Sequence, residues 1–204
     1  TINITGIVTA VKTFSSYPHF FIQDPDLLEW AGVYVYVDES EPFNIGDELN
    51  FSAEVDEYFG VTELKNLENV QLLSYDNEIN PVSISTGSLG LECGDGEKYE
   101  GMFVKFSNVV VDSIDATWNS VYIDDGSGMA KLDDYYYNFD LDGDDNPDYW
   151  PDLSVGDTIE TAIGVVHYYF GEYVVYPRSI TDLAGIIGGE DEDCGEGSDD
   201  GGST

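Results

Sequence analysis

The fold is decided by one stretch, residues 45–60, which reads Ile45-Gly46-Asp47-Glu48-Leu49-Asn50-Phe51-Ser52-Ala53-Glu54-Val55-Asp56-Glu57-Tyr58-Phe59-Gly60. Its two ends recur as Val155-Gly156-Asp157 and Tyr169-Phe170-Gly171. Between these ends apolar and polar residues alternate, strictly in the first copy and less strictly in the second, as in a half-buried strand. Another strand-like run follows each Phe-Gly pair. The repetition predicts two copies of one small β unit.

Each copy predicts five strands separated by turn residues. They are Ile2–Phe14, His19–Gln23, Gly32–Val37, Glu48–Tyr58 and Val61–Leu73, then Met102–Ile114, Ser120–Asp124, Met129–Leu132, Thr158–Tyr169 and Glu172–Tyr176. A long first strand and a final hairpin are typical of the OB-fold, a partly open Greek-key barrel. No segment has a sustained helical period. The fold class is therefore all-β: two tandem OB-fold-like five-stranded barrels, little helix and an acidic C-terminal tail.

The domain organisation follows from the repeat. We predict a first OB-like domain at residues 1–75, a linker and lead-in at 76–98, and a second OB-like domain at 99–184. Residues 133–153 form an insertion in the second domain, and residues 185–204 form the acidic, Gly-rich tail. The chain opens on a strand without an initiator Met, which indicates a mature or excised piece of a longer precursor.

The net charge is extreme, with 42 acidic residues against 6 basic ones and a formal charge of −36. Such a field repels nucleic acid, whose binding normally rests on Lys and Arg at phosphates, and it repels anionic membranes. Adaptation to brine is the simpler explanation of the surplus. Because no apolar run reaches the ~18 residues that span a bilayer, membrane insertion is not expected.

Two cysteines, Cys93 and Cys194, lie in Gly- and acid-rich segments. In a secreted protein such thiols are more often bonded than free. A disulfide between Cys93 and Cys194 is therefore expected, and it would tie down the tail.

The sharpest local motif is an acidic loop. Its candidate calcium ligands are Asp140, Asp142, Asp144, Asn146, Asp148 and Asp152. Oxygens at alternate positions of a tight turn surround one point, as a hard cation requires. The spacing resembles the calcium loops of thrombospondin type 3 repeats and, more distantly, of EF-hands, although Pro151 stands where an EF-hand has Glu. The alternative is a solvated acidic loop without metal.

The remaining chemistry is sparse. Tyr135, Tyr137, Tyr173 and Tyr176 are a possible ligand platform, because exposed aromatics on an OB barrel stack on bases or sugars, whereas core or inter-domain packing is the favoured explanation. The histidines, His19 and His167, fall in different copies. Paired acids such as those at 124–125 and 133–134 are common by chance in so acidic a chain. Catalysis is therefore not expected.

The sequences of the strands resemble those of a known domain type. The segments Gly6–Thr9, Phe20–Pro25, Gly32–Tyr36, Ile45–Asp47 and Glu57–Leu64, with Tyr99–Val104 and Asp124–Gly128 in the second copy, are similar to OB-like domains beside the catalytic domain of large secreted bacterial nucleases. The resemblance covers residues 2–183 and implies an OB fold. Because such domains also occur in extracellular proteins that are not nucleases, it does not fix the activity.

The function predicted from these features is a non-catalytic, calcium-stabilised tandem OB module of a secreted or cell-surface protein. It would act as a structural, adhesive or assembly unit. Its expected partners are other domains of the precursor or further copies of the chain, with nucleic acid disfavoured by charge. The alternative is an accessory domain that positions nucleic acid for an extracellular nuclease. A carbohydrate-binding module using the tyrosines is a third possibility.

Overall fold

The computed structural model describes residues 1–12, 18–37, 43–90, 95–118, 120–136, 151 and 153–189. Its strands are β1 (Ile2–Lys12), β2 (His19–Gln23), β3 (Gly32–Tyr36), β4 (Glu48–Tyr58), β5 (Val61–Ser74), β6 (Val82–Ser83), β7 (Phe103–Asp115), β8 (Ser120–Asp124), β9 (Ala130–Leu132), β10 (Thr158–Tyr169), β11 (Glu172–Tyr176) and β12 (Leu183–Ile187). The helices in these ranges are three short 3₁₀ turns at Thr86–Ser88, Gly96–Tyr99 and Ile180–Asp182. None of them is long and apolar enough to cross a membrane.

The first five strands close into a barrel of order β1-β2-β3-β5-β4. All neighbours are antiparallel except β3 and β5, which run parallel, with Tyr34 opposite Glu63. The alternation of the sequence places Leu49, Phe51 and Ala53 of β4 inside the barrel, fully buried, against a core that includes Phe20. This strand order is that of an OB-fold.

The second half repeats the same ring. β7 pairs with β8 and β10, β8 with β9, β10 with β11, and β9 with β11 in parallel, so the order β7-β8-β9-β11-β10 returns to β7. Its core contains Met102, Phe106, Ile123, Leu132 and Ile159, which are all fully buried. The predicted all-β class, the OB-like strand order and the scarcity of helix are confirmed.

The repeated Gly-Asp pair has the same structural role in both halves. Gly46 and Gly156 adopt left-handed backbone conformations, with φ of 93° and 97°. The carboxylate of Asp47 accepts the backbone N–H of Asn44 at 2.8 Å, and Asp157 accepts that of Ser154 at 2.7 Å. Each turn also exchanges two backbone hydrogen bonds with the long first strand of its barrel, at the bulge of that strand. The motif therefore fixes where the fourth strand begins.

The two barrels share an extensive interface. A third apolar cluster joins Ala10 and Phe21 of the first barrel to Phe103, Val165 and Tyr176 of the second. Gly32 and Gly101 approach so closely that a Cβ on Gly32 would lie 2.3 Å from the carbonyl of Gly101. This approach excludes any side chain at either position.

Polar groups add to the same interface. Gln23 Oε1 accepts the backbone N–H of Phe103 at 2.7 Å. The guanidinium of Arg178 donates to the carbonyl of Thr9 at 2.9 Å and to the buried carboxylate of Asp182. The barrels are thus joined by apolar contact together with directional hydrogen bonds.

The sequence missed two strands. β6 adds to β7 in parallel, and β12 adds to β10 in antiparallel fashion and runs to Ile187, inside residues predicted as tail. β6 has only two residues and β12 only five, the latter mostly exposed, so neither carries a clear alternating pattern. Pairing with a long neighbouring strand, rather than their own sequence, holds them in place.

Candidate functional site

Two hairpin turns present the most exposed large apolar side chains in the described part of the chain. β4 and β5 are joined by Phe59-Gly60, and β10 and β11 by Phe170-Gly171. Phe59 is 84% exposed and Phe170 is 89% exposed. All four residues have positive φ, at 51°, 88°, 50° and 94°. These are two-residue turns of type I′, the turn that matches the twist of a hairpin.

The conformation of both phenylalanines is strained. Type I′ turns favour Asn or Asp at their first central position, whereas a bulky residue there is an outlier. Each ring stands edge-on to the preceding tyrosine, at 4.7 Å between the centroids of Tyr58 and Phe59 and 4.6 Å for Tyr169 and Phe170. Neither ring is covered by a core. Strain kept twice at equivalent, exposed positions points to a role outside folding.

The two hairpins are neighbours. A Cβ on Gly60 would lie 2.5 Å from the ring of Tyr168, so the first turn rests directly on β10, two residues before Phe170. Tyr168 packs on Tyr173 with ring centroids 5.2 Å apart, and the Tyr173 hydroxyl donates to Glu97 at 2.6 Å. The interface therefore fixes both turns on one side of the molecule.

A buried carboxyl lies beneath the first hairpin. Glu100 is 8% exposed, and its Oε1 accepts the backbone N–H of Thr62, at the start of β5, at 3.0 Å. Its Oε2 has no hydrogen-bond partner among the described residues. Burial, with Glu97 and Glu57 nearby, raises the pKa of Glu100 to about 7, although the Thr62 hydrogen bond opposes this. This contact links the second barrel to the base of the hairpin.

The positive charges are mostly occupied by local carboxylates. Lys65 pairs with Asp56, Lys98 with Glu29 and Asp95, Lys131 with Glu172, and Arg178 with Asp182. Four of the six basic residues of the chain are thus neutralised within the described structure. These ion pairs leave few of the basic residues for contact with phosphate. Its distinctive chemistry is aromatic.

The structure places the residues of the proposed tyrosine platform in different surroundings. Tyr176 is buried, with its ring 5.6 Å from that of His167. Tyr135 is partly exposed and lies beneath the ammonium of Lys12, 3.5 Å from its ring centroid. Tyr173 is half-buried and bonded to Glu97. Tyr135 and Tyr176 both pack against residues of the first barrel, and Tyr137 lies outside the described residues, so the platform stays a prediction.

The histidines also belong to the interface. His19 is buried, and its Nε2 lies 2.6 Å from the hydroxyl of Tyr136. Burial, with a smaller contribution from the nearby His19, lowers the pKa of His167 to about 4. A neutral, half-buried imidazole packed on Tyr34 serves the interface.

The predicted calcium ligands Asp140, Asp142, Asp144, Asn146, Asp148 and Asp152 lie outside the described residues. So do both cysteines, Cys93 and Cys194. Within the described ranges no group of three or more His, Cys, Asp or Glu side chains is arranged to hold a metal ion. The acid pair at 124–125 has a structural role, since Asp125 accepts the hydroxyl of Thr86 at 2.7 Å.

From the sequence, Phe59 and Phe170 indicated only the positions of two turns. Their signal was nevertheless present, because a two-residue turn between alternating strands normally carries Asn-Gly or Asp-Gly. A phenylalanine in the asparagine position, twice, is the anomaly that identifies the site.

No protein-family model and no curated protein matches the sequence. Among solved structures, a murine DNA-binding protein bound to double-stranded DNA has a TM-score of 0.42 and 10% identity, covering 86% of this chain and 94% of that chain. The Ifi202 HINa domain in complex with 20-base-pair double-stranded DNA has a TM-score of 0.38 and 12% identity, covering 86% and 91%. The p204 HINb domain has a TM-score of 0.39 and 12% identity, covering 91% and 97%. At these values the likeness concerns the fold alone.

Two expectations are corrected by this comparison. The sequence predicted a calcium-stabilised structural or adhesive module and disfavoured nucleic acid as a partner. Two of the solved structures that the chain resembles are instead described as complexes with double-stranded DNA. The comparison contradicts the structural or adhesive role and the exclusion of nucleic acid, whereas calcium binding stays a prediction. Net charge is a sum over the whole chain and does not describe each local surface.

Proposed function

We propose that this protein is a non-catalytic, nucleic-acid-binding OB module that contacts bases rather than phosphates. The observation that carries the proposal is the pair of strained, exposed phenylalanines, Phe59 and Phe170, at equivalent hairpins of two adjoining barrels. The loop between the fourth and fifth strands is one of the places where OB-folds bind oligonucleotides.

Base stacking supplies the binding energy in this proposal. Stacking of one base on an aromatic side chain contributes about 1–3 kcal/mol, and it tolerates any sequence because every base has a π-face. A ring on a hairpin tip is open on its faces and held in position by the backbone. Because both turns are anchored at the interface between the barrels, the rings are presented without loop ordering at each binding event.

The acid surplus gives the proposed binding an unusual salt dependence. Ordinary nucleic-acid binding weakens steeply with salt, because Lys and Arg contacts release counterions. Here the long-range force between the protein, at −36, and the phosphates is repulsive, and salt screens it. Affinity is therefore expected to stay level or rise between about 50 and 500 mM salt, where a basic binder would lose several orders of magnitude.

The wider setting of the module is proposed from sequence resemblance. A domain of this type would be extracellular, and it would position nucleic acid beside the catalytic domain of a secreted nuclease. The loop around Asp144 would bind Ca²⁺ through its carboxylates, and the two cysteines would form a disulfide. Calcium titration monitored by calorimetry, with Asp144→Asn as the matched variant, tests the metal: heat from wild type and none from the variant is expected.

The same acid surplus favours a second candidate ligand, a neutral oligosaccharide. OB-folds bind sugars at the same loops, and a sugar face stacks on an aromatic ring without opposing charge. Phe59 and Phe170 would serve either ligand, so only direct binding separates the two.

Fluorescence anisotropy of a labelled single-stranded oligodeoxynucleotide, titrated with protein at low and high salt, tests the proposal. Three proteins are compared: wild type, the double variant Phe59→Ala/Phe170→Ala, and Tyr75→Ala, which removes a ring that is 73% exposed just beyond the far end of β5. Wild type and Tyr75→Ala are expected to bind, and the double variant to lose at least about 30-fold in affinity. If wild type binds no oligonucleotide at either salt concentration but is retained on a neutral glycan gel, the ligand of Phe59 and Phe170 is an oligosaccharide rather than a nucleic acid.

A further inference from the structure

The loop between β2 and β3 carries a third exposed ring. Residues 24–31 present Leu27, Leu28 and Trp30 to solvent, and Trp30 is 65% exposed. The equivalent connection of the second barrel, residues 125–129, is polar and is held by hydrogen bonds between Thr86 and Asp125. The apolar loop is thus a feature of the first barrel, not of the repeat.

Trp30 shares the unusual backbone of the hairpin phenylalanines. In the described part of the chain, seven residues other than glycine have positive φ. Four are Asn or Asp, which tolerate this conformation. The other three are Trp30, at 58°, Phe59 and Phe170, and all three are exposed aromatics.

The backbone of Trp30 is fixed while its side chain is free of the core. Its N–H donates to the carbonyl of Lys98 at 2.7 Å, and the neighbouring Glu29 pairs with the Lys98 ammonium at 2.9 Å. The loop closes on itself through the N–H of Asp24, which donates to the carbonyl of Ala31 at 3.0 Å. A ring held in this way is presented, as in the hairpins, by a rigid support.

Trp30 lies at the same end of the first barrel as Phe59. β3 and β5 run parallel with Tyr34 opposite Glu63, and each ring lies four residues before its member of that pair. The segment that ends in Glu100 contacts both of these positions. The carbonyl of Lys98 accepts the N–H of Trp30, and the carboxylate of Glu100 accepts the N–H of Thr62, just after the Phe59 turn. The aromatic surface of the two hairpins therefore continues towards the loop.

We infer that Trp30 is a third stacking position, and that the ligand is a single strand whose unpaired bases contact Trp30 as well as the hairpin rings. The inference rests on the proposed function. Rings at three separate supports are reached by bases only when those bases are free of a complementary strand, since a duplex stacks its bases internally. Hydrophobic contact alone would not require the backbone strain that all three rings share.

Oligothymidylates of two lengths test the inference, about 4 and about 12 nucleotides, within the range of OB site sizes. Trp30→Ala is expected to weaken binding of the longer strand at least fivefold and to affect the shorter one less. Tyr75→Ala is the matched control and should leave both unchanged. Excess unlabelled duplex of the same sequence should compete poorly with the longer strand.

A fluorescence experiment on a protein that retains Trp30 guards against misfolding of the variant. With Trp118→Phe and Trp150→Phe, Trp30 is the single tryptophan, and stacking of a base should quench its emission on titration. Loss of binding in Phe59→Ala/Phe170→Ala with no effect of Trp30→Ala and no quenching would overturn the inference and leave the proposed function intact. Absence of oligonucleotide binding by wild type would refute the proposed function itself.

Discussion

Replacing the two hairpin phenylalanines by asparagine, as Phe59→Asn and Phe170→Asn, is expected to stabilise the protein while removing its ligand contacts. A left-handed backbone costs an ordinary L-residue about 1–2 kcal/mol, and Asn-Gly is the favoured pair for this turn. Against this gain stands the loss of one exposed edge-on ring pair per hairpin, at centroid distances of 4.7 and 4.6 Å, worth about 0.5 kcal/mol. The net gain is about 1 kcal/mol per hairpin.

Thermal unfolding measures this gain directly. For a chain of this size about 1 kcal/mol corresponds to about 2–4 °C, so the double variant should melt about 4–8 °C higher than wild type. Tyr75→Asn is the control, because Tyr75 is 73% exposed but does not have positive φ, and its melting temperature should not rise. A double variant that melts below wild type would show that the rings support the fold, and the reasoning from strain to function would fail.

Three further predictions concern the structure around the site. Glu100→Gln should stabilise the protein above pH 7 by up to about 3 kcal/mol. Because the Glu100 pKa rises from 4.5 to about 7 on folding, wild type loses stability as the pH rises from 4.5 to about 7. Urea unfolding of the two proteins should therefore give the same stability below pH 4.5. Gly32→Ala should cost more than about 2 kcal/mol by forcing the barrels apart, whereas Gly188→Ala, whose Cβ would have its nearest neighbour at 3.9 Å, should be close to neutral; equal effects would contradict the close approach. Arg178→Met should cost about 3 kcal/mol by stranding a buried carboxylate and breaking the bond to the Thr9 carbonyl, and a loss below about 1 kcal/mol in urea unfolding would contradict that role.

The strands were predictable because their signals are local. Alternation along β4 and β10, with Phe-Gly turns between long runs, located most strand ends to within one or two residues. The repeated Gly-Asp pair was visible as a motif, although its reason, a carboxylate that caps the turn before the fourth strand, required the structure. Repetition gave the OB-like order, since the same five-strand pattern occurs twice.

The interface was not predictable because its contacts join residues far apart in sequence. Gly32 meets Gly101, and Gln23 meets Phe103, with no local pattern that marks either pair. For the same reason the sequence did not indicate that Tyr176 lies in the interface between the barrels. Periodicity tells which side of a strand is apolar, but not which neighbour covers it.

Stacking of bases on Phe59 and Phe170 can be detected by photo-cross-linking. An oligonucleotide with iodouracil in place of thymine is bound to the wild-type protein, irradiated, and the adducts are mapped by mass spectrometry of the peptides. Adducts are expected on Phe59 and Phe170, the two rings that are 84% and 89% exposed. Adducts confined to other residues, from an oligonucleotide that demonstrably binds, would refute the proposed stacking.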